Sequence, residues 1–252
     1  MFDELLARLQ QKHRTGAFPG AEPQIPPRAR CLPAVDLGTC GCASGCNACA
    51  AACPTGAITV NGKVCFDLGK CLFCPDCAAA CPKSAIRFGT DYRLATRTRD
   101  DLRVATDPLR LAAALEGETR RLFGRSLKLR QVSAAGCNAC EADCNVLNTL
   151  VFDLGRFGIQ FVASPRHADG VLVTGPVSRN MLLGLRKTYE AIPSPRLVIA
   201  VGACAISGGP FAGHPEVLNG AGEVVPIDLF IPGCPPHPYT ILDGLLRLLG
   251  RR

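Results

Sequence analysis

One cysteine spacing constrains this 252-residue chain more than any other feature. Cys46-x2-Cys49-x3-Cys53-Pro54 returns 28 residues later as Cys74-x2-Cys77-x3-Cys81-Pro82, and Ala57-Ile58 returns at the same offset as Ala85-Ile86. The second copy is complete, running Cys71-x2-Cys74-x2-Cys77-x3-Cys81-Pro82. Three thiolates this close together suit three corners of one iron–sulfur cubane. The following three-residue step and its proline carry the fourth cysteine across to a second cubane. A pair of zinc sites would call for separated CxxC pairs, not for this run twice with crossed fourth ligands.

Residues 39–92 therefore read as a two-cluster ferredoxin-like (α+β) domain. By the crossed rule one cluster takes Cys42, Cys46, Cys49 and Cys81, and the other takes Cys53, Cys71, Cys74 and Cys77. Strict repetition would place a cysteine at position 43, where Ala43 stands. Cys42 lies one residue early and Cys40 three; Cys42 is assigned for its shorter reach, with Cys40 as the alternative. Cys31 and Cys65 are left over as buried thiols. Between the copies, residues 58–64 read as a β-hairpin on the turn Asn61-Gly62.

The remaining cysteines are dispersed, which suits a site assembled from several loops of a larger fold. Residues 126–252 show apolar strand-like stretches at 127–132, 170–174, 197–201 and 224–231. Helical patterns alternate with them. Val146, Leu147, Leu150, Val151 and Leu154 share one face, Ser178 caps a helix to about 191, and Pro238 opens a helix with Ile241, Leu242, Leu245, Leu246 and Leu249 inward. Alternation of this kind predicts a parallel, flavodoxin-like α/β domain. Cys137 and Cys140 follow its first strand, Cys204 the third and Cys234 the fourth, at the strand ends where such sheets form their ligand crevice. Four cysteines from three loops predict a third [4Fe–4S] cluster. Cys144, one helical turn beyond Cys140, is the alternative to Cys137.

The outer segments complete the organisation. Residues 1–38 read as an N-terminal arm: a short amphipathic helix over 2–11, then an extended connector with five prolines between 16 and 33. Residues 93–125 read as a basic linker in which Asp107-Pro108 starts a helix carrying Leu111, Leu115 and Leu122. The cysteine-free stretch from 82 to 136 predicts two halves that fold independently.

The segments GCNACEADCNVL (136–147), FGIQFVASPRHADGVLVTGPVSRNM (157–181), AVGACAISGG (200–209) and IPGCPPHP (231–238) together resemble the small subunit of group 4, energy-converting [NiFe] hydrogenases of the formate hydrogenlyase type. That family is related to the 20 kDa subunit of respiratory complex I. The preceding domain resembles the separate two-cluster ferredoxin subunit of the same complexes, so the chain looks like a fusion of two neighbouring subunits. The resemblance implies that Cys137, Cys140, Cys204 and Cys234 hold the cluster nearest a hydrogenase-type large subunit. The Cys137-x2-Cys140 spacing favours the hydrogenase branch, because the complex I relatives have adjacent cysteines there. Asp143 and Cys144 depart from the usual Glu and Ile of the family motif.

These readings make the chain an iron–sulfur electron-transfer subunit with three [4Fe–4S] clusters in a multisubunit, membrane-associated oxidoreductase. The alternative is the equivalent relay of a complex I-like, NADH:quinone oxidoreductase-related complex without NiFe chemistry. The chain shows no GxGxxG, P-loop or Ser-His-Asp order, so no complete catalytic site is expected in it. His13, His167, His214 and His237 are scattered and read as structural. The formal charge of +7 falls to about +1 once three clusters, each about −2 with its thiolates, are included; with no Trp and few aromatics, nucleic-acid binding is not expected. No export signal and no apolar run near the roughly 20 residues of a membrane span are present. The expected location is cytoplasmic, peripheral on the membrane through partner subunits, in a compartment where cysteines serve as metal ligands.

Overall fold

The computed structural model of the protein describes residues 2–12, 14–105 and 108–252. Its first element is α1 (Phe2–Gln11), at the bounds expected from the sequence. The cysteine repeat then builds a small unit in which each copy contributes a one-turn helix followed by a strand. The first copy gives α2 (Ala48–Ala51) and β2 (Ile58–Val60), and the second gives α3 (Asp76–Ala79) and β4 (Ile86–Phe88). Each strand finds an antiparallel partner. β2 turns at Gly62, in the left-handed region, into β3 (Val64–Asp67), and β4 pairs with β1 (Pro33–Val35).

The second unit is a five-stranded, all-parallel sheet of order β10-β9-β8-β6-β7, formed by β6 (Leu127–Ser133), β7 (Ile159–Phe161), β8 (Gly170–Thr174), β9 (Leu197–Val201) and β10 (Leu229–Ile231). GVLVT and LVIAV are buried along their whole length, as strands covered on both faces must be. Leu172 and Ile199 pack on one side with α5 (Ala139–Val146) and α8 (Pro238–Leu248). Val171, Val173 and Val198 pack on the other with Leu185 of α6 (Arg179–Ala191). The architecture is an N-terminal two-cluster ferredoxin-like region followed by a flavodoxin-like parallel α/β domain.

Several local expectations give way. The stretch 224–231 yields a strand only from Leu229, because Pro226 interrupts it. β7 replaces a stretch the periodicity left unassigned. α5 ends at Val146, and Leu150 and Val151 are exposed instead of packing inward. In the junction, among the described residues, one 3-10 turn forms at Asp100–Leu102 and α-helix only at α4 (Gly117–Phe123). Ahead of it the Ala112 and Leu115 amides are taken by the carbonyls of Ala95 and Leu248, which holds that stretch extended. The expected cap Asp107, like His13, lies outside the described residues.

The two units are not independent bodies. β5 (Arg103–Val104), from the expected linker, pairs with β3, and β1 comes from the expected arm. One core joins Phe66, Leu68, Leu94 and Leu102 to Ala200, Ala205, Ile206 and Phe230 of the α/β domain. Thr96 and Phe230 exchange both backbone hydrogen bonds, at 3.0 and 2.9 Å. The Ser207 hydroxyl donates to the Gly69 carbonyl at 2.8 Å, and Arg99 pairs with Asp67 at 2.7 Å. The arm also packs on its own chain: Phe18 is buried against Tyr92 and Tyr239, and Arg252 joins Glu22 to the buried Asp243.

Gly69 sits where the units meet; a Cβ there would lie 2.7 Å from Ile206 Cγ2 and 2.8 Å from the Arg99 guanidinium carbon. Gly69→Ala should therefore cost about 1–3 kcal/mol and lower the Tm by several degrees. Adding Ile206→Ala should recover part of that loss. Simple additivity of the two changes in thermal melts would show that no shared contact exists.

Candidate functional site

Cys53, Cys71, Cys74 and Cys77 are brought together as electrostatic neighbours although Cys53 belongs to the other repeat. Burial pushes the Cys71 thiol up to about 12 and the Cys77 thiol up to about 11, with the surrounding thiolates adding to the rise. Cys40, Cys46, Cys49 and Cys81 line a cavity, together with Gly41 and Ile86. The repeat extends to the amides at both groups. Ala57 N–H donates to Cys53 Sγ at 3.2 Å, and Ala85 N–H donates to Cys81 Sγ at 3.3 Å. The Ala85 bond holds the Cys81 thiol below its ordinary pKa. The recurrent Ala57-Ile58 and Ala85-Ile86 in the sequence are the trace of this pairing.

Cys42 lies beside Cys40, whose thiol it meets as a hydrogen-bond and electrostatic neighbour. It is buried, lines no part of that cavity, and its Sγ donates to the Gly62 carbonyl at 3.4 Å. Cys40 lines the cavity, with Cys42, Cys49 and Cys81 among its neighbours. Cys31 is buried, and Cys65 lies half-buried on β3.

The third group forms at the carboxyl end of the parallel sheet. Cys137 lies in the loop after β6, Cys140 in the first turn of α5, Cys204 in α7 (Ala203–Ser207) after β9, and Cys234 after β10. All four line one cavity with Gly136, Gly175, Gly233 and Glu141. Glycines bring backbone against the sulfurs: a Cβ on Gly202 would lie 2.5 Å from Cys140 Sγ, and one on Gly209 would lie 2.8 Å from Cys204 Sγ. Burial pushes Cys140 up, reinforced by Cys204, Glu141 and Cys234. It pushes Cys204 to about 11, reinforced by Cys234 and Cys137. Cys144 is fully buried among Leu147, Ile241 and Leu245, lines no part of the cavity, and is pushed up to about 12 by burial.

Sequence reasoning passed over Glu141, whose only signal is its place directly after Cys140. It is 5% exposed, and one of its oxygens accepts from Ser133 Oγ and Thr174 Oγ1, both at 2.6 Å. None of the described histidines lines this cavity. His237 stacks on Tyr239 and its Nδ1 accepts from the Tyr239 amide, while burial lowers its pKa.

The donor set fits iron–sulfur clusters in three respects: all-thiol chemistry, glycine-lined cradles, and amides aimed at sulfur. Among the described residues no three His, Cys, Asp or Glu come close enough to hold a single metal ion. Cubane ligands are spaced more widely, since each thiolate binds its own iron. The groups also adjoin one another, with Cys49 among the neighbours of Cys77, and Cys74 among those of Cys234.

Residues 137–248 match the family described as NADH ubiquinone oxidoreductase, 20 Kd subunit, and residues 41–85 match the 4Fe-4S dicluster domain. The chain is 40% identical to the probable membrane-bound hydrogenase subunit mbhJ of Pyrococcus furiosus over 51% of its length and 77% of that protein. The chain belongs to the NADH ubiquinone oxidoreductase 20 kDa subunit family. Two further relatives are similar to it. One is an NADH-quinone oxidoreductase subunit of Desulfovibrio desulfuricans, 41% identical over 58% of this chain and 82% of that one. The other is formate hydrogenlyase subunit 7 of Escherichia coli, 39% identical over 55% of this chain and 54% of that one. The 20 kDa family match begins at Cys137 and takes in all four cysteines of the third cavity. The dicluster match spans Cys42 but starts one residue after Cys40.

Gly202 is in the left-handed region at φ +91°, and a Cβ added there would run into Cys140 Sγ. Gly202→Ala should displace that thiol and remove the four irons of one [4Fe–4S] cluster per chain, measured after anaerobic reconstitution. Unchanged iron would show that the cradle tolerates a methyl group.

Proposed function

We propose that this chain is the electron relay of a membrane-associated oxidoreductase complex of hydrogenase type, holding three [4Fe–4S] clusters in series. The observation that carries this reading is the succession of the cysteine groups: Cys49 lies within electrostatic range of Cys77, and Cys74 within that of Cys234. The proposed ligand sets are Cys40, Cys46, Cys49 and Cys81; Cys53, Cys71, Cys74 and Cys77; and Cys137, Cys140, Cys204 and Cys234. Cys40 replaces the expected Cys42 on the geometry of the cavity.

Bound [4Fe–4S] clusters supply reversible one-electron transfer. The chain's own residues set the conditions for it. The thiols whose pKa burial raises bind metal only with release of protons, so loading is pH-dependent. The Ala57 and Ala85 amides donate to the Cys53 and Cys81 sulfurs, and hydrogen bonds to ligand sulfur are one of the levers that tune a cluster's potential. The third site is the open end: Cys137 and Cys234 are exposed, and Phe211, in the turn that follows α7, is 44% exposed. We assign this end to a large subunit, and the cavity of Cys40, Cys46, Cys49 and Cys81, bordered by Ser44 and Lys83, to the outer redox partner. No helix among the described residues is long and apolar enough to cross a membrane, so membrane association through partner subunits accounts for the relatives' membrane-bound setting.

The similarity to the Desulfovibrio NADH-quinone oxidoreductase protein supports a second reading, in which the same relay serves a complex without nickel. Nickel analysis of the copurified complex separates the two.

Cysteine variants test the relay. Cys40→Ser should remove or convert one ferredoxin-type EPR signal, and Cys42→Ser should leave all signals in place. Cys234→Ser should abolish the third signal and electron flow to the large subunit while sparing the other two. Loss of the first signal in Cys42→Ser but not in Cys40→Ser would make Cys42 the ligand. Full electron flow in Cys234→Ser would refute the series.

A further inference from the structure

α1 takes no part in holding the cysteines, and no described residue of the chain covers its apolar side. Phe2, Leu5, Leu6 and Leu9 recur at the i, i+3, i+4, i+7 spacing of a single helical stripe. No residue of the helix is buried, and these four are 75, 57, 42 and 74% exposed. Arg8 and Lys12 border the stripe, lining one surface groove with Leu5 and Leu9. Asp3 and Glu4 stand in the first turn, where the helix dipole favours acids.

The arm behind the helix is anchored. The Gly16 amide donates to the Val151 carbonyl at 2.7 Å, Phe18 is buried, and Arg156 donates to the Phe18 carbonyl at 2.8 Å. At this anchor Leu150 and Val151 are 67 and 49% exposed. Their exposure runs against the inward packing that their helical spacing predicts. The apolar surface of α1 therefore has a second, rigid patch at the root of its arm.

We propose that α1 lies in the interfacial plane of an anionic lipid bilayer, with Phe2, Leu5, Leu6 and Leu9 among the acyl chains and Arg8 and Lys12 at the phosphates. The cationic border favours lipid over a protein groove. Arg and Lys run their methylene stems along an apolar face while keeping their charges in the headgroup layer, the pattern of interfacial helices. At 1.5 Å per residue the helix is about 15 Å long, half the thickness of a hydrocarbon core, so it lies flat. Four apolar side chains and two cations, against the two acids Asp3 and Glu4 of the first turn, make a modest anchor, one that orients a complex held to the membrane by other means. The inference does not depend on the cluster assignment.

Co-sedimentation of the full-length, anaerobically purified protein with vesicles tests it. The protein should pellet with vesicles of equal parts phosphatidylcholine and phosphatidylglycerol, and much less with phosphatidylcholine alone. Leu5→Asp combined with Leu9→Asp should weaken binding about tenfold or more, and Arg8→Gln with Lys12→Gln should remove the preference for anionic vesicles. Because α1 makes no core contact, iron content and thermal melting should match the unaltered protein in both variants, which separates lost binding from misfolding. Failure of the unaltered protein to bind anionic vesicles would overturn the proposal, as would equal binding by the Leu5→Asp/Leu9→Asp variant. Helix-dependent capture of a copurifying subunit without vesicle binding would assign the stripe to a protein groove and equally overturn it.

Discussion

Crowded thiols cannot ionise together unless a cation sits among them, and this chain gathers its cysteines into three such crowds. Burial raises Cys71, Cys77, Cys140 and Cys204, and each neighbouring thiolate raises them further. Metal binding relieves that penalty and so contributes to folding free energy, as in other small metal-organised units. The local structure is arranged around this requirement. Short helices place Cys49, Cys77 and Cys140 in their first turns, and the amides of Ala57 and Ala85 point at sulfur. Glycines with positive φ let the backbone of the α/β domain close on Cys140 and Cys204.

The second constraint is the seam between the two units. A relay requires its centres to keep fixed separations. The chain meets this by sharing one hydrophobic core across the junction instead of using a linker. Ile206, two residues after Cys204, packs into the same core as Leu68, three residues before Cys71. Ser207 and Gly69 add a hydrogen bond at the same place. The geometry that brings Cys74 within electrostatic range of Cys234 is thus a consequence of ordinary side-chain packing.

Much of this was legible in the sequence because cysteine spacing and strand-end position are local signals. The crossed pairing of Cys53 with Cys71, Cys74 and Cys77 could be read from the repeat. The convergence of Cys137, Cys140, Cys204 and Cys234 could be read from the order of strands. The choice between Cys40 and Cys42 could not, because the two thiols lie side by side in the turn at 41–45, where spacing alone does not rank them. The inward packing expected of Leu150 and Val151 failed for a related reason: helical periodicity continued past the end of α5, and the arm docked beside them. The shared core was illegible as well, since Ala200, Ile206 and Phe230 look like interior residues of one domain whichever neighbour they touch.

The central claim is that the three cysteine groups hold three cubanes, and metal content tests it most directly. Iron, acid-labile sulfide and zinc should be measured on the anaerobically purified full-length protein. The account predicts about 12 iron and about 12 sulfide per chain with negligible zinc. Stoichiometric zinc with little iron would contradict it throughout. A firm plateau near eight irons, unchanged by reconstitution, would show that the cavity of Cys137, Cys140, Cys204 and Cys234 holds no cluster.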